Sequence, residues 1–289
     1  MLRYRHLCLV TLGVADIARS RAFYENLPGL WPVQEAVDGT VRFRVGDDRA
    51  FLELSGAASP GLKRFGFEME SAAAMEELVR VIDREGVKWT HVANGVRMVE
   101  PHTGAAVEFH CGVSDVRFPS GTLAIEGLGH IVLRTPAYRE AVAFWREVLG
   151  FRLSDEIDGR ISLLRCFPNP LHHSLGIASG ERRMFHHLNF RVRESTDLEA
   201  ARQGLAGAGI AIASGPGVHA PSGSGFLYFY DPDGLTLEMA TATERFVEGD
   251  ERPPRILPDR AESFAVGNVR RDPRMYTVGE IEKAEAESG

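Results

Sequence analysis

The sequence predicts an α+β protein built from four copies of one βαβββ unit, two units to each half of the chain. Three observations carry this. An order of apolar strand, helical pattern and paired strands starts near residue 5 and starts again near residue 128. Variations of the same order fill residues 64–109 and 185–240. All four helical patterns run out in a glycine, within LPG, REG, VLG and GAG, as expected where a helix stops.

In the first unit, RHLCLVTLG reads as a strand, DIARSRAFYENLPG as a helix, and VRFRVG and AFLEL as strands. The second unit follows with strand RFGFEME, helix AAAMEELVRVIDREG and strands VRMVE and AAVEFH. The third has strand LGHIVLRT, helix YREAVAFWREVLG and strands ISLLRCF and HSLGIA. The fourth has strand FHHLNFRV, helix DLEAARQGLAGAG and strands FLYFYDPDG and LTLEMA. The strands are short and rich in Val, Ile, Phe and Leu. Residues 1–115 are therefore expected to form one domain and 125–245 a second, with 112–124 (GVSDVRFPSGTLA) as linker. The charged, proline-containing 246–289 is a tail expected to cover a surface or to stay partly disordered.

With 289 residues the chain can bury two cores. A hydrophobic fraction of 44%, a charged fraction of 25% and a net charge of −7 fit a globular protein and lack the basic footprint of a nucleic-acid binder. No apolar run approaches the roughly 18 residues that span a membrane, and MLRYRHLCLV lacks the layout of a signal peptide. Cys8, Cys111 and Cys166 are sparse and odd in number, which argues against a disulfide framework and for a reducing cytoplasm.

Strand alternation singles out three polar residues. Ile131 and Leu133 share one face of GHIVLRT, which leaves His130 on the other. Leu188, Phe190 and Val192 share a face of HHLNFRV, which leaves His187 opposite. Leu235, Leu237 and Met239 do the same in LTLEMA, which leaves Glu238 opposite. Two imidazoles and one carboxylate on three strands of one curved sheet can converge on a metal, and this donor set with open positions is the facial triad of non-haem Fe(II) oxygenases.

Over about residues 5–240 the chain resembles the type I extradiol dioxygenases of the vicinal oxygen chelate superfamily, whose members cleave 2,3-dihydroxybiphenyl and catechols. The ligand positions of that family match His130 in GHIVL, His187 in HHLNF and Glu238 in LTLEM. Its catalytic His stands fourteen residues before the second metal His, where this chain has His173, with His172 as the neighbouring register. Its further His and Tyr stand nineteen and ten residues before the metal Glu, where this chain has His219 and Tyr228. The resemblance implies two open-barrel domains, Fe(II) with Mn(II) as the alternative, and O2 as co-substrate. It also implies a small aromatic diol as substrate, while a homo-oligomer is the default expectation for the assembly. By the same resemblance His219 and Tyr228 hydrogen-bond the substrate oxygens and His173 serves as base, then acid. The rival readings are a glyoxalase-like lyase or isomerase, which draws four protein ligands from paired units, and a non-catalytic binding protein, which commonly lacks the triad.

The N-terminal half offers an internal control. Aligned by its strands, it places His6, Arg64 and Glu108 opposite the triad, and Ala50, Trp89 and Met98 opposite the other three positions. An arginine has no lone pair for a metal, so this half reads as a degenerate site in which Arg64 pairs with Glu108. His6 and His186 read as structural, the latter on the opposite face from His187. DPDG at 231–234 reads as a turn. Relatives that take acidic catechols carry a basic residue just before the His219 position. Here Ser214 stands five residues before, which disfavours an acidic substrate. Leu171, Phe185 and Phe226 are expected to form an apolar flank for a bulky catechol.

Overall fold

Strands that alternate apolar and polar side chains must each bury one face, and the chain meets that demand in two mixed sheets. The computed structural model describes residues 1–27, 29–33, 39–46, 50–112, 125–241, 243–267 and 269–283. The first unit is β1 (Tyr4–Val14), α1 (Ile17–Glu25), β2 (Leu30–Pro32), β3 (Val41–Val45) and β4 (Ala50–Gly56). The second is β5 (Gly61–Met69), α2 (Ala72–Arg84), β6 (Trp89–Val92), β7 (Gly95–Val99) and β8 (Ala106–His110). The third is β9 (Ile125–Thr135), α3 (Tyr138–Ala143), β10 (Arg152–Ile157), β11 (Ile161–Arg165) and β12 (Leu175–Ser179). The fourth is β13 (Met184–Val192), α4 (Ser195–Gly207), β14 (Ile212–Val218), β15 (Gly225–Tyr230) and β16 (Thr236–Ala240). The repeat predicted from sequence is thus present four times. The strand directly after each helix, β2, β6, β10 or β14, carried no readable pattern of its own.

In every unit the last strand lies parallel to the first: β4 on β1, β8 on β5, β12 on β9 and β16 on β13. The opening strands of sister units pair antiparallel, β1 with β5 and β9 with β13. One sheet therefore runs β2-β3-β4-β1-β5-β8-β7-β6 and the other β14-β15-β16-β13-β9-β12-β11-β10. Local chemistry sets the helices. Asp16 and Ser71 accept the backbone N–H groups of Arg19 and Ala74 at the starts of α1 and α2. Gly86 and Gly150 take φ of +67° and +68° just beyond α2 and α3, where a β-carbon would be strained. After Ala143, α3 continues as a π-helical turn, Phe144–Val148.

One hydrophobic core runs through both halves. Trp145, on that π turn, is fully buried and packs on Phe65 and Phe67 of β5 and on Phe151. Tyr4 of β1 donates its hydroxyl to the Leu149 carbonyl at 2.7 Å. Tyr24 of α1 donates to Asp231 in the DPDG turn, and Arg19 pairs with Asp233.

The tail covers a surface. Its β17 (Arg255–Leu257) adds a parallel strand to β10. A single helical turn, α5 (Ala261–Phe264), follows. Its β18 (Glu280–Ile281) pairs with β5 in the other sheet, while the Gly279 carbonyl accepts the Phe185 N–H of β13 at 2.8 Å. The tail therefore bridges the two sheets. Residues 113–124 of the expected linker and the final 284–289 lie outside the described residues.

Candidate metal centre

The sheet order places the polar residues on five neighbouring strands, β15-β16-β13-β9-β12. Tyr228 is on β15, Glu238 on β16, His187 on β13 and His130 on β9, and His173 lies just before β12. Cross-strand register then brings them together. Tyr228 stands opposite Glu238, Glu238 opposite Asn189, and His187 opposite Val132, two residues from His130.

His130 Nε2 lies 3.1 Å from His187 Nε2 and 3.1 Å from Glu238 Oε2, and His187 Nε2 lies 3.2 Å from the same oxygen. All three side chains are buried, Glu238 completely. Three donors at right angles around one ion at about 2.1 Å would stand about 3.0 Å apart, against about 3.4 Å for a tetrahedral set. The observed triangle fits the former. Glu238 Oε2 makes no hydrogen bond although it is buried, an arrangement that costs free energy unless a cation is shared. Burial lowers His130 to about 4, which keeps its lone pair free at neutral pH. Burial by itself would raise the Glu238 carboxyl, but contacts with His130, His187 and His219 hold it well below the usual range. His130, His187 and Glu238 therefore fit a divalent metal.

The surrounding groups fix the imidazoles. His187 Nε2 faces the triad, so Nδ1 carries the proton and donates to His186 Nδ1 at 2.7 Å. His219 Nδ1 lies 3.1 Å from the Phe264 carbonyl of the tail. This turns His219 Nε2 to Glu238 Oε1 at 2.8 Å and to the Tyr228 hydroxyl at 3.2 Å. Tyr228 is pushed well above 10 by burial and stays a donor.

His173, not His172, faces the site, with its ring 4.1 Å from that of His130. His172 is fully buried and its Nε2 lies 2.9 Å from Asp155 Oδ2. Burial alone would raise the Asp155 carboxyl, but bonds from Arg255, His172 and Arg252 hold it ionised. An ionised carboxylate only accepts, so His172 donates from Nε2 and accepts at Nδ1. His173 Nδ1 then donates to it across 3.0 Å and keeps its Nε2 lone pair free. Burial holds His173 well below 6.5 and so neutral.

His130, His173, His187, His219 and Tyr228 line one end of a cavity of about 330 Å3. Three sequence expectations need correction here. His186 is not on the far face. A β-bulge between Phe185 and His187 interrupts the alternation, so His186 also lines the cavity and stacks on Tyr276 at 3.4 Å. Leu171, Phe185 and Phe226 form no flank. Phe185 is in the core and Phe226 lies behind His219, and the apolar walls are Ile157, Ile161, Leu163 and Met275 instead. The third concerns the N-terminal alignment. Thr11 pairs with Arg64 as Val132 pairs with His187, so Leu9 rather than His6 occupies the place of His130. Likewise Arg97, not Met98, stands opposite Glu108. The bulges in β1 cause the first offset, and the β7–β8 loop, one residue longer than the β15–β16 loop, causes the second.

In the N-terminal half Arg64 does meet Glu108, at 3.3 Å, and it also pairs with Glu53 at 2.6 Å. Arg42 bonds Glu53, and Arg97 bonds Glu108 at 2.6 Å. Guanidinium–carboxylate pairs fill the space that the other half leaves for a metal. Sequence reasoning also missed the tail. Phe264, Arg271, Met275 and Tyr276 close the cavity, and Tyr276 does so with φ at +61°, a strained value for an aromatic residue. No local pattern marks these positions.

Residues 127–239 match the family model described as the Glyoxalase/Bleomycin resistance protein/Dioxygenase superfamily. The chain is similar to a biphenyl-2,3-diol 1,2-dioxygenase of Paraburkholderia xenovorans (strain LB400), with 28% identity over 263 residues, 81% of this chain and 86% of that one. Among solved structures it is similar to a halotolerant catechol dioxygenase, with a TM-score of 0.84 and 23% identity over 96% of this chain and 98% of the other. It is also similar to a Mn(II)-bound glyoxalase from Novosphingobium aromaticivorans, with a TM-score of 0.86 and 23% identity over 99% and 100%. These structural likenesses are likenesses of fold.

Proposed function

We propose that this chain, whose residues 127–239 match the Glyoxalase/Bleomycin resistance protein/Dioxygenase superfamily model, is an extradiol ring-cleaving dioxygenase of the vicinal oxygen chelate type. It inserts both atoms of O2 into a catechol-type ring and releases a muconic semialdehyde-type product. The observation that carries this reading is the convergence of His130, His187 and Glu238 on one point, with His173, His219 and Tyr228 around the same cavity.

His130, His187 and Glu238 hold Fe(II), or Mn(II) in its place. When bound, a redox-active ion with three protein ligands supplies open positions and an electron path between the diol and O2. Every other part belongs to the chain. His219 Nε2 and the Tyr228 hydroxyl sit where they can bond the substrate oxygens and hold the ring in one orientation. His173 is neutral and turns its Nε2 lone pair into the cavity, so it accepts a proton first and returns it later. Phe264, Met275 and Tyr276 exclude water from above.

In this reading residues 1–115 form a non-catalytic domain, 125–245 the catalytic domain and 246–289 a covering tail. The three free cysteines suit the cytoplasm, and no helix is long and apolar enough to cross a membrane. We take the working state to be a homo-oligomer.

The test is O2 uptake by anaerobically Fe(II)-loaded protein on a panel of catechols, with the visible spectrum recorded together. Uptake matched by a new yellow absorbance is expected. Bound metal without uptake on any catechol would point to the lyase reading instead.

A further inference from the structure

The cavity has a second chemical end. Beyond the apolar walls it is cationic, although the metal end already holds a cation. His130, Val132 and Arg134 alternate on one face of β9 and all line the cavity. Four residues of strand separate His130 from Arg134, about 13 Å at about 3.3 Å per residue, which is more than one aromatic ring spans. Arg271, a solvent-exposed residue of the tail, and Arg160 line the same cavity.

Of these cations Arg134 is the one poorly matched by the protein. Among the described residues no carboxylate lies within ion-pair distance of Arg134 or Arg271. Arg134 Nε is buried without a hydrogen bond, and Nη1 meets only the Met184 sulfur at 4.0 Å. Burial and the nearby charges of Arg160 and Arg182 both work against the Arg134 charge. The guanidinium of Arg271 sits 5.4 Å from the Phe264 ring. The one acid here, Asp272, is taken up by Arg274 at 2.7 Å, while Arg160 faces Asp259 at 3.8 Å on the surface.

The fold also makes room for Arg134. A β-carbon at Gly180 would stand 2.0 Å from Arg134 Cδ. Only glycine there lets the arginine stem lie in its present position. An arginine half-buried, unpaired and specifically accommodated costs stability, and a bound anion would offset that cost.

We propose that the substrate carries an anionic group, a carboxylate on a side chain remote from the diol, which Arg134 and Arg271 clamp. The proposal rests on the dioxygenase reading for the diol end. It reverses the expectation drawn from Ser214. That residue bonds the Arg270 carbonyl at 3.0 Å and does not line the cavity, and the cations come from β9 and the tail instead.

The probes are 3-(2,3-dihydroxyphenyl)propanoate and its primary amide, which match in size and differ in charge. Binding is measured anaerobically by titration calorimetry on the metal-loaded protein. The acid should bind about tenfold more tightly than the amide at low salt, and the ratio should shrink as salt rises. Arg134→Gln and Arg271→Gln should each bring the ratio near twofold or below, Gly180→Ala should do the same by displacing the Arg134 stem, and Arg134→Lys should keep part of it. Equal binding of acid and amide to the unmodified protein would overturn the proposal, as would a preference that survives in both Gln variants. O2 uptake on the same pair tests the other reading separately. Preferential binding of the acid without uptake keeps the anion clamp and removes the dioxygenase. Equal binding and uptake of both compounds removes the clamp and keeps the dioxygenase.

Discussion

Glu238→Gln isolates the metal from everything else the site does. The substitution keeps the shape of a completely buried side chain and removes its charge. It thereby replaces the oxygen that lies 3.1 and 3.2 Å from the two imidazole nitrogens with a neutral amide. At free Mn(II) one hundred times the Kd, the unmodified protein should gain about 2.7 kcal/mol of stability from binding. For a chain of this size that is a rise in Tm of about 4–5 °C. A ligand loss that weakens affinity about a hundredfold leaves about 0.4 kcal/mol at the same metal concentration, a rise of about 0.7 °C. The assay is thermal unfolding followed by circular dichroism, with chelator and then with Mn(II). Glu108→Gln, at the equivalent position of the other half, serves as control and should keep the full rise. If Glu238→Gln rises as far as the unmodified protein, the carboxylate is not a ligand and the three-donor assignment is wrong.

His173→Ala should retain metal and lower ring-cleavage turnover on the order of 10²-fold. Full activity would remove His173 from the proton transfers. Asp231 is raised to about 7, chiefly by burial. Its contribution to stability is therefore complete below the unfolded value near 4 and is lost as pH rises to about 7, a change of about 4 kcal/mol. Asp231→Asn should flatten the Tm profile across that window, and an unchanged profile would contradict the assignment. Trp145→Ala empties a fully buried site between the two sheets and should cost about 3–5 kcal/mol in urea unfolding. A loss below about 1 kcal/mol would mean that the π turn contributes little to joining the halves.

Much of this was legible in the sequence because it is periodic or local. The four units showed in the order of strands, helices and closing glycines, and alternation alone put His130, His187 and Glu238 on the faces away from the apolar core. What failed did so where a local rule met a register. The bulge at His186 turned a residue assigned to the far face into part of the cavity wall. Bulges in β1 moved the counterpart of His130 from His6 to Leu9, which no count of residues from the nearest motif would reveal. The strands β2, β6, β10 and β14 were opaque because each owes its conformation to the neighbour it pairs with.

Fold class, donors and their strands follow from the residues alone, since these depend on side-chain chemistry and a fixed period of two along a strand. The folded structure set which atoms meet. It chose His173 over His172 through the ion-paired Asp155, and it set the three donors about 3 Å apart. It also carried Phe264, Arg271, Met275 and Tyr276 over the cavity, so that Arg271 lines the same cavity as Arg134 across well over a hundred positions of chain. Contacts of that kind arise from sheet pairing and burial of the whole molecule, and no segment encodes them alone.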